Sequence, residues 1–396
     1  MANPLKNITL AEQIYPQLVA WRRDFHKYPE LSFKEKQTSS KVIDILKSFH
    51  HYQIQSHVGG YGVVATLSHG DGPTVALRAD MDALPIQEQG EHDYVSEHEG
   101  VMHACGHDAH TAILLGTAKI LSEIKDQIQG TVKLIFQPAE EACDENGESG
   151  AVKMLQSGML DGIDRAVALH MCPWEKRGTV QLHDGPSMAN NDEFNLIIKG
   201  RGGHGGYPQD AMDPMWLTSF VLQALYSING RRIDPLQVGT ISVGQIHGGE
   251  AHNVIPDEVE IKGTIRSYEK SVRVKLMEEL ENAASIAKSL GGDYQLSINQ
   301  GEPALQNHPY INQVIEQASE GFQVVRKPFG MGSEDFSYFT EKLPAAMFFL
   351  GCGLKERRSL HHPQFNIDEG ALIDGVAIFL GCIQRLLKSE EEDNDD

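Results

Sequence analysis

Thr131-Val132-Lys133-Leu134-Ile135-Phe136-Gln137-Pro138-Ala139-Glu140-Glu141 reads as a buried strand that stops at a proline and opens onto two acids. An apolar, β-branched run of this length is a strand covered on both faces, and Pro138 cannot donate to a ladder, so pairing ends there. Two further runs have the same character: Ala166–Leu169, ending at His170, and Ala346–Leu350. Helical spacing alternates with these strands. Trp21, Phe25, Val42, Ile45 and Leu46 fall on helical positions within 11–50, broken at Tyr28-Pro29-Glu30. Thr111–Leu121 carries a continuous apolar face, and Ala371–Leu387 reads as a closing helix. Val63–Leu67 and Thr74–Leu77 flank Gly70-Asp71-Gly72-Pro73, which predicts a hairpin. Strands alternating with helices give an α/β frame.

The pattern changes near Asp184-Gly185-Pro186. Phe194–Lys199 alternates as a strand, Asp213–Ile228 is helical, and Thr240–Ile246 and Val259–Arg266 read as an antiparallel pair. Val272–Leu290 is helical and Tyr294–Ile298 is again a strand. Strand-helix-strand-strand-helix-strand is the split ferredoxin-like unit. After Gly301 the α/β pattern resumes, so the smaller domain is an insertion. The expected segments are 1–186 and 301–388 for the catalytic domain, 187–300 for the inserted domain, and 389–396 as a disordered tail. Those last eight residues hold six acids.

The chain has 396 residues, 40% hydrophobic and 22% charged, the composition of a soluble globular protein of about two domains. A formal net charge of -21 excludes nucleic acid and anionic membrane as partners. Five cysteines in no scaffold spacing, no basic-then-apolar N-terminal segment and no long apolar run predict a cytoplasmic protein with free or metal-bound thiols.

Four clusters carry chemistry, each near the C-terminal end of an expected strand, where open α/β sheets gather their active sites. Met102-His103-Ala104-Cys105-Gly106-His107-Asp108-Ala109-His110 packs three histidines, a cysteine and an aspartate into nine residues. The glycine between Cys105 and His107 lets both turn towards one ion, and thiolate with imidazole suits a transition metal. In Glu140-Glu141, adjacent carboxylates point different ways, so one can hold metal while the other faces water. His170 ends an apolar run, and His361-His362 precedes the last helix. Each taken alone also fits an ordinary helix terminus, surface loop or core histidine. Gly200-Arg201-Gly202-Gly203-His204-Gly205-Gly206 presents one histidine on a loop that lacks the Lys-Ser/Thr of a phosphate loop. Asn253 and Arg266 offer an amide and a guanidinium suited to a substrate carboxylate.

From Arg22 to Leu387 the chain resembles the aminoacylase and carboxypeptidase G class of two-metal peptidases. Within it, the chain looks like the branch of hippurate hydrolases, N-acetyl-amino-acid deacetylases and plant auxin-conjugate hydrolases. The motifs are RRDFHKYPELSF, RADMDALP, MHACGHDAHTA, FQPAEE, GRGGHGGYP, NVIPD, GTIR, MGSEDFS and LHHPQF. The resemblance implies an α/β catalytic domain with a mixed central sheet flanked by helices, plus an inserted ferredoxin-like α+β lid and dimerisation domain. It implies Cys105, His107, Glu141, His170 and His361 as ligands of two divalent ions per subunit (manganese, zinc, nickel or cobalt), Cys105 being shared. Glu140 matches the general base, and His204 the loop histidine that reaches the partner subunit's active site. Asn253 and Arg266 match substrate-binding positions. The assembly implied is a homodimer or higher homo-oligomer, and the partner a small-molecule N-acyl amino acid.

The chain departs from the family in places. Where the family has His-x-Asp, this chain has Asp80-Met81-Asp82. Asp80 therefore receives no metal role, and Asp82 is expected to orient a ligand. Gly205 and Gly206 replace the usual alanines, and His362 stands where a small residue is usual. The expected reaction is hydrolysis of the amide of N-acyl amino acids. The competing readings are a dipeptidase or carboxypeptidase on the same centre, and a silent metal- or amino-acid-binding protein. A redox role for Cys105 lacks the resolving cysteine of a CxxC.

Overall fold

The computed structural model describes residues 4–158 and 161–388. The acidic tail expected at 389–396 lies outside them. The chain divides into two compact units. The first takes in residues up to Gly185, then Gln306–Phe329 and the stretch from Asp335 onward; the second is Pro186–Leu305 with Gly330–Glu334.

The first unit opens with helices α1 (Pro4–Gln13), α2 (Tyr15–Lys27) and α3 (Lys36–Lys47), then strands β1 (Gln53–Val58), β2 (Gly62–His69) and β3 (Thr74–Asp80). Helix α4 (His107–Glu123), β4 (Gly130–Gln137), α5 (Gly150–Gln156), β5 (Arg165–Lys176) and β6 (Thr179–Leu182) follow. The expected hairpin between the second and third strands does not form. β2 pairs antiparallel with β1 and with β4, whereas β3 pairs parallel with β4 and β5. A glycine-rich turn permits reversal but does not choose a partner. β3 is buried almost throughout, and such a strand belongs at the centre of a parallel run. β5 also differs from expectation: it continues through His170 to Lys176.

The second unit begins with β7 (Gly185–Met188), β8 (Asp192–Lys199), β9 (Gly203–His204), α6 (Pro214–Arg231), β10 (Gly239–His247), β11 (Val254–Ile255) and β12 (Glu258–Ser267). Helices α7 (Lys270–Ala284) and α8 (Ile286–Ser289) and strand β13 (Asp293–Gln300) complete it. Four of these strands form an antiparallel sheet in the order β10-β12-β8-β13, the ferredoxin-like order. Leu217, Val221 and Leu225 of α6 and Leu276 and Leu280 of α7 share a core with Leu196, Val259 and Ile261 of the sheet. The sequence pattern placed the second boundary after 300, but the unit runs to Leu305 and also claims Gly330–Glu334. Ala189 N donates to Gly332 O at 2.9 Å, Arg266 Nη1 to Met331 O at 3.1 Å and Tyr268 Oη to Gly330 O at 3.0 Å. A glycine-rich return held by its backbone leaves no apolar pattern to read.

The chain closes with β14 (Leu305–Asn307), α9 (Pro309–Ala318), β15 (Gln323–Arg326), α10 (Ser337–Thr340), β16 (Ala345–Gly353) and α11 (Ala371–Leu386). The sheet of the first unit has eight strands among the described residues, in the order β1-β2-β4-β3-β5-β16-β6-β15. It is a mixed sheet whose centre, β4-β3-β5-β16, is parallel. Helix α11 is buried almost all round, packing on α1, α4 and α9. No helix among the described residues is long and apolar enough to cross a membrane.

One charged residue sits inside this sheet. Arg78 of β3 is 1% exposed and donates Nε to Gln137 Oε1 at 3.0 Å, Nη1 to Asp80 Oδ2 at 2.6 Å and Nη2 to Asp335 Oδ1 at 2.8 Å. Removing one partner of a buried ion pair strands the other charge. Arg78→Met should therefore lower stability by about 3–5 kcal/mol, read as a shift in denaturant midpoint. A midpoint matching the parent protein would contradict this.

Candidate metal centre

The segment that carries two of the five expected ligands turns at Gly106. Its φ of 96° is left-handed, and a β-carbon there would lie 2.8 Å from Met171 Cγ. Glycine alone permits both the turn and the approach. The turn starts α4 and sends Cys105 and His107 to the same side: donor atoms of Cys105, His107 and His170 lie within 4.8 Å of one another. Cys105 Sγ is 3.4 Å from His170 Nε2.

Hydrogen bonds sort the histidines. His107 Nδ1 donates to Asp82 O at 2.9 Å, and His170 Nδ1 to Met171 O at 2.9 Å. A carbonyl accepts only from N–H, so whenever either ring is neutral its lone pair is on Nε2, which faces the cluster. His110 has nothing left to give: Nδ1 is 2.6 Å from Asp80 Oδ1, and Nε2 accepts from Met171 N at 2.9 Å. Asp108 is turned the other way, accepting from Arg22 Nε and His26 Nδ1, both at 2.8 Å. Asp80 is held by Arg78 and His110. Asp82 accepts Glu141 N at 2.9 Å and Ser32 Oγ at 2.6 Å on Oδ2. His103 is buried with neither ring nitrogen hydrogen-bonded among the described residues, and nothing in the structure explains it.

The acidic pair and the last histidine complete the set. Cys105, Glu141 and His361 form one group of converging donors, and His107, Glu140 and Glu141 another. Glu141 Oε1 lies 3.4 Å from His361 Nε2 and 3.8 Å from His107 Nε2, while Glu140 Oε2 is 4.0 Å from His107 Nε2. Of the adjacent histidines, His361 meets Glu141, whereas His362 Nδ1 accepts from Gln364 N at 3.0 Å. Ala139, before the acidic pair, and His361 both have left-handed backbones, with φ of 48° and 63°. A residue with a β-carbon enters that region at a cost, and such residues cluster at functional sites. His361 is held there by its N–H on Ala104 O at 2.8 Å.

Electrostatics show what the cluster lacks. His107 Nε2 and Glu141 Oε1 are buried without a hydrogen-bond partner among the described residues, although they converge. Burial opposes charge on His107, but Asp80, Asp82 and Glu141 outweigh it and push the ring up to about 10. The surroundings thus favour positive charge at that place. Burial, then Glu141 and Glu140, raises the Cys105 thiol well above its ordinary value, so a thiolate there needs a cation beside it. Burial, then His110, pushes His170 down to about 3, leaving it neutral and able to ligate. Orphaned donors, stored negative charge and a soft-plus-borderline donor set all fit divalent transition metal ions.

His204, Asn253 and Arg266 belong to the second unit. β9 pairs antiparallel with β11, His204 opposite Val254, and Gly205 N donates to Asn253 O at 2.8 Å, so His204 and Asn253 sit side by side on exposed loops. Arg266 is half-buried on β12. The sequence reading assigned no role to Arg78 or Asp335. An arginine inside the apolar run Thr74–Ala79 was the available signal for the first. Asp335, which also accepts from Gln137 Nε2 at 2.8 Å and Ala151 N at 3.1 Å, lies in the MGSEDFS motif, which marked the segment but not the role.

Comparison with known proteins gives concordant matches. Residues 76–385 match the model of peptidase family M20/M25/M40. N-acetyl-L-cysteine deacetylase of Bacillus subtilis is 38% identical, the match covering 99% of this chain and 92% of that protein. An N-acyl-L-amino acid amidohydrolase of Geobacillus stearothermophilus is 39% identical over 74% of this chain and 78% of its own length. Among solved structures, the Bacillus subtilis YXEP protein, described as a dinuclear metal binding peptidase, superposes with a TM-score of 0.84. It is 33% identical, with 95% of this chain and 99% of that one covered.

The geometry predicts ion content residue by residue. Cys105→Ala and His361→Ala should carry less metal than the parent protein by elemental analysis after dialysis, whereas His362→Ala should match it. Full content in Cys105→Ala would remove that thiol from the ligand set.

Proposed function

Because this chain belongs to peptidase family M20/M25/M40, we propose that Cys105, His107, Glu141, His170 and His361 hold two divalent ions, with Glu140 as general base. The enzyme is a metal-dependent amidohydrolase that cleaves N-acyl amino acids into a carboxylic acid and a free amino acid. The observation that carries the reading is the pairing at the end of β4. Glu141 Oε1 lies among Nε2 atoms of two histidines, and the adjacent Glu140 brings a second carboxylate to the same place. Cys105 belongs to two of the donor groups, which supports its being shared. Thiol, imidazole and carboxylate together suit manganese, zinc, nickel or cobalt.

The ions, when bound, polarise the amide carbonyl and acidify water. Glu140 takes the proton from the attacking water and hands it to the leaving amine nitrogen. In this division of labour Glu141 serves as ligand and Glu140 carries out the proton transfers. His204, from the partner subunit, donates to the negative charge that develops on the carbonyl oxygen as water adds to the carbon. Asn253 and Arg266 hold the carboxylate of the amino-acid half. Arg266 uses Nη1 on Met331 O, which fixes the guanidinium while other N–H groups are available.

The second unit is the lid and the dimerisation surface in this reading. Its helix α6 exposes Trp216, Phe220 and Tyr226 at 46, 39 and 61%, a large apolar face for a monomer to leave in water. The compartment is the cytoplasm. The buried free thiols Cys105, Cys172, Cys352 and Cys382, the first needed as a thiolate, support a reducing environment.

Glu140→Gln should keep the parent's ion content yet lose roughly 10²–10⁴-fold in kcat on N-acetyl amino acids; near-parental turnover sinks the base assignment. Preference for unblocked dipeptides over N-acetyl amino acids in the same assay would favour the peptidase reading. Mixing inactive Glu140→Gln and His204→Ala subunits should restore about a quarter of parental activity, since each mixed dimer then has one intact site. No recovery after proven subunit exchange would place His204 in its own subunit's site.

A further inference from the structure

The strained residue ahead of the acidic pair is held from outside its own loop. Glu35 occupies the position before α3 whose side chain ordinarily caps a helix. It makes no cap bond; Glu30 Oε2 instead accepts Gln37 N and Thr38 N, both at 2.8 Å. The Glu35 side chain is turned inward and is wholly buried. There Oε1 accepts two backbone donors, Phe33 N at 3.1 Å and Ala139 N at 2.7 Å. Phe33 and Ala139 are two of the five non-glycine residues with positive φ among those described, at 62° and 48°. One buried carboxylate thus satisfies the amides of two residues in a conformation that a β-carbon disfavours.

Around Ala139 everything else is fixed as well. Its carbonyl accepts Gly150 N at 2.8 Å, and Gly150 leaves no space for a side chain, since a β-carbon there would lie 1.6 Å from Pro138 O. Two residues on, Glu141 N is held by Asp82. The Glu35 bond is therefore the hold on the N-terminal side of the turn, where β4 gives way to Glu140.

We propose that Glu35 is a positioning residue for hydrolysis: its grip on the Ala139 amide fixes the left-handed turn that aims Glu140 and Glu141 in different directions from the end of β4. The proposal rests on the reading of Glu140 as general base. When the bond is lost, Ala139 relaxes to negative φ and the following peptide rotates, carrying Glu140 off line. What matters is an acceptor, not a charge. Burial, with Asp82 second, already pushes the Glu35 carboxyl up to about 7, so a neutral amide oxygen serves the same bond.

The test compares Glu35→Ala, Glu35→Gln and the double variant Glu35→Ala/Ala139→Gly, each loaded with manganese, checked for ion content and assayed for kcat and KM on N-acetyl-L-cysteine. Glu35→Ala is expected to keep parental ion content and lose ~10–100-fold in kcat with KM within ~3-fold, as for a small misplacement of a reacting group. Glu35→Gln recovers most of that loss. The double variant runs at least ~5-fold faster than Glu35→Ala, because glycine takes the left-handed turn unaided. A purely structural role would gain nothing in kcat from Ala139→Gly. Parental kcat in Glu35→Ala, a deficit that added manganese removes, or a double variant no faster than Glu35→Ala each overturns the proposal. Should Glu35→Ala not fold, Glu35→Asp, one methylene short of the amide, takes its place, and parental kcat there overturns it equally. Failure of the base assignment shows separately, as Glu140→Gln retaining its turnover.

Discussion

Carboxylates withdrawn from water need partners, and the catalytic unit is built around meeting that need. Asp80, Asp82, Asp335 and Glu35 are all essentially buried, with Glu140 and Glu141 close behind. Uncompensated, each would cost several kcal/mol. Arg78 answers two of them from the middle of the sheet. Other oxygens accept backbone amides, the Ser32 hydroxyl and imidazole N–H groups, and those bonds fix the donors in place. Burial works against charge on Asp80, yet His107, Arg78 and His110 hold its carboxyl well below the usual range. The Asp80 bond on one ring nitrogen and Met171 N on the other leave His110 no nitrogen to spare.

Much of this was legible in the chain. Apolar runs located β4, β5 and β16, because a strand buried on both faces has no polar alternation to confuse the reading. The β-α-β-β-α-β order of the second unit followed from a change of period. Pairing was not legible: the turn at Gly70–Pro73 looked like a hairpin, but β4, from later in the chain, lies between the two strands. Local pattern names strands, whereas partners are chosen by how deeply each must be buried. The return of Gly330–Glu334 to the second unit escaped for a related reason, since its contacts are made by main-chain atoms.

At the site, ligand types at suggestive spacing marked Cys105, His107 and the acidic pair, and the resemblance separated Glu140 from Glu141 and His361 from His362. Spacing could not say which histidines of the segment 103–110 have a nitrogen to spare. That depends on where each ring's other nitrogen goes, and those partners, Asp82, Asp80 and Met171, come from distant parts of the chain. Glu35 was invisible for the opposite reason. It stands where a cap belongs, and only the structure shows that Glu30 has taken over the capping.

The converging donors come from the end of β4, the start of α4, the interior of β5 and the loop before α11. His361 is among the last of the described residues and Cys105 among the first third. No short segment holds a complete ion site, so ions cannot nucleate this fold as they do a zinc finger. The parallel centre β4-β3-β5-β16 is a topology rich in long-range pairings, which form slowly. During synthesis the partial set Cys105, His107, Glu141 and His170 emerges well before the loop and strand that complete it. A chain that stops short of His361 therefore lacks one of the converging donors, however complete the rest of its sheet.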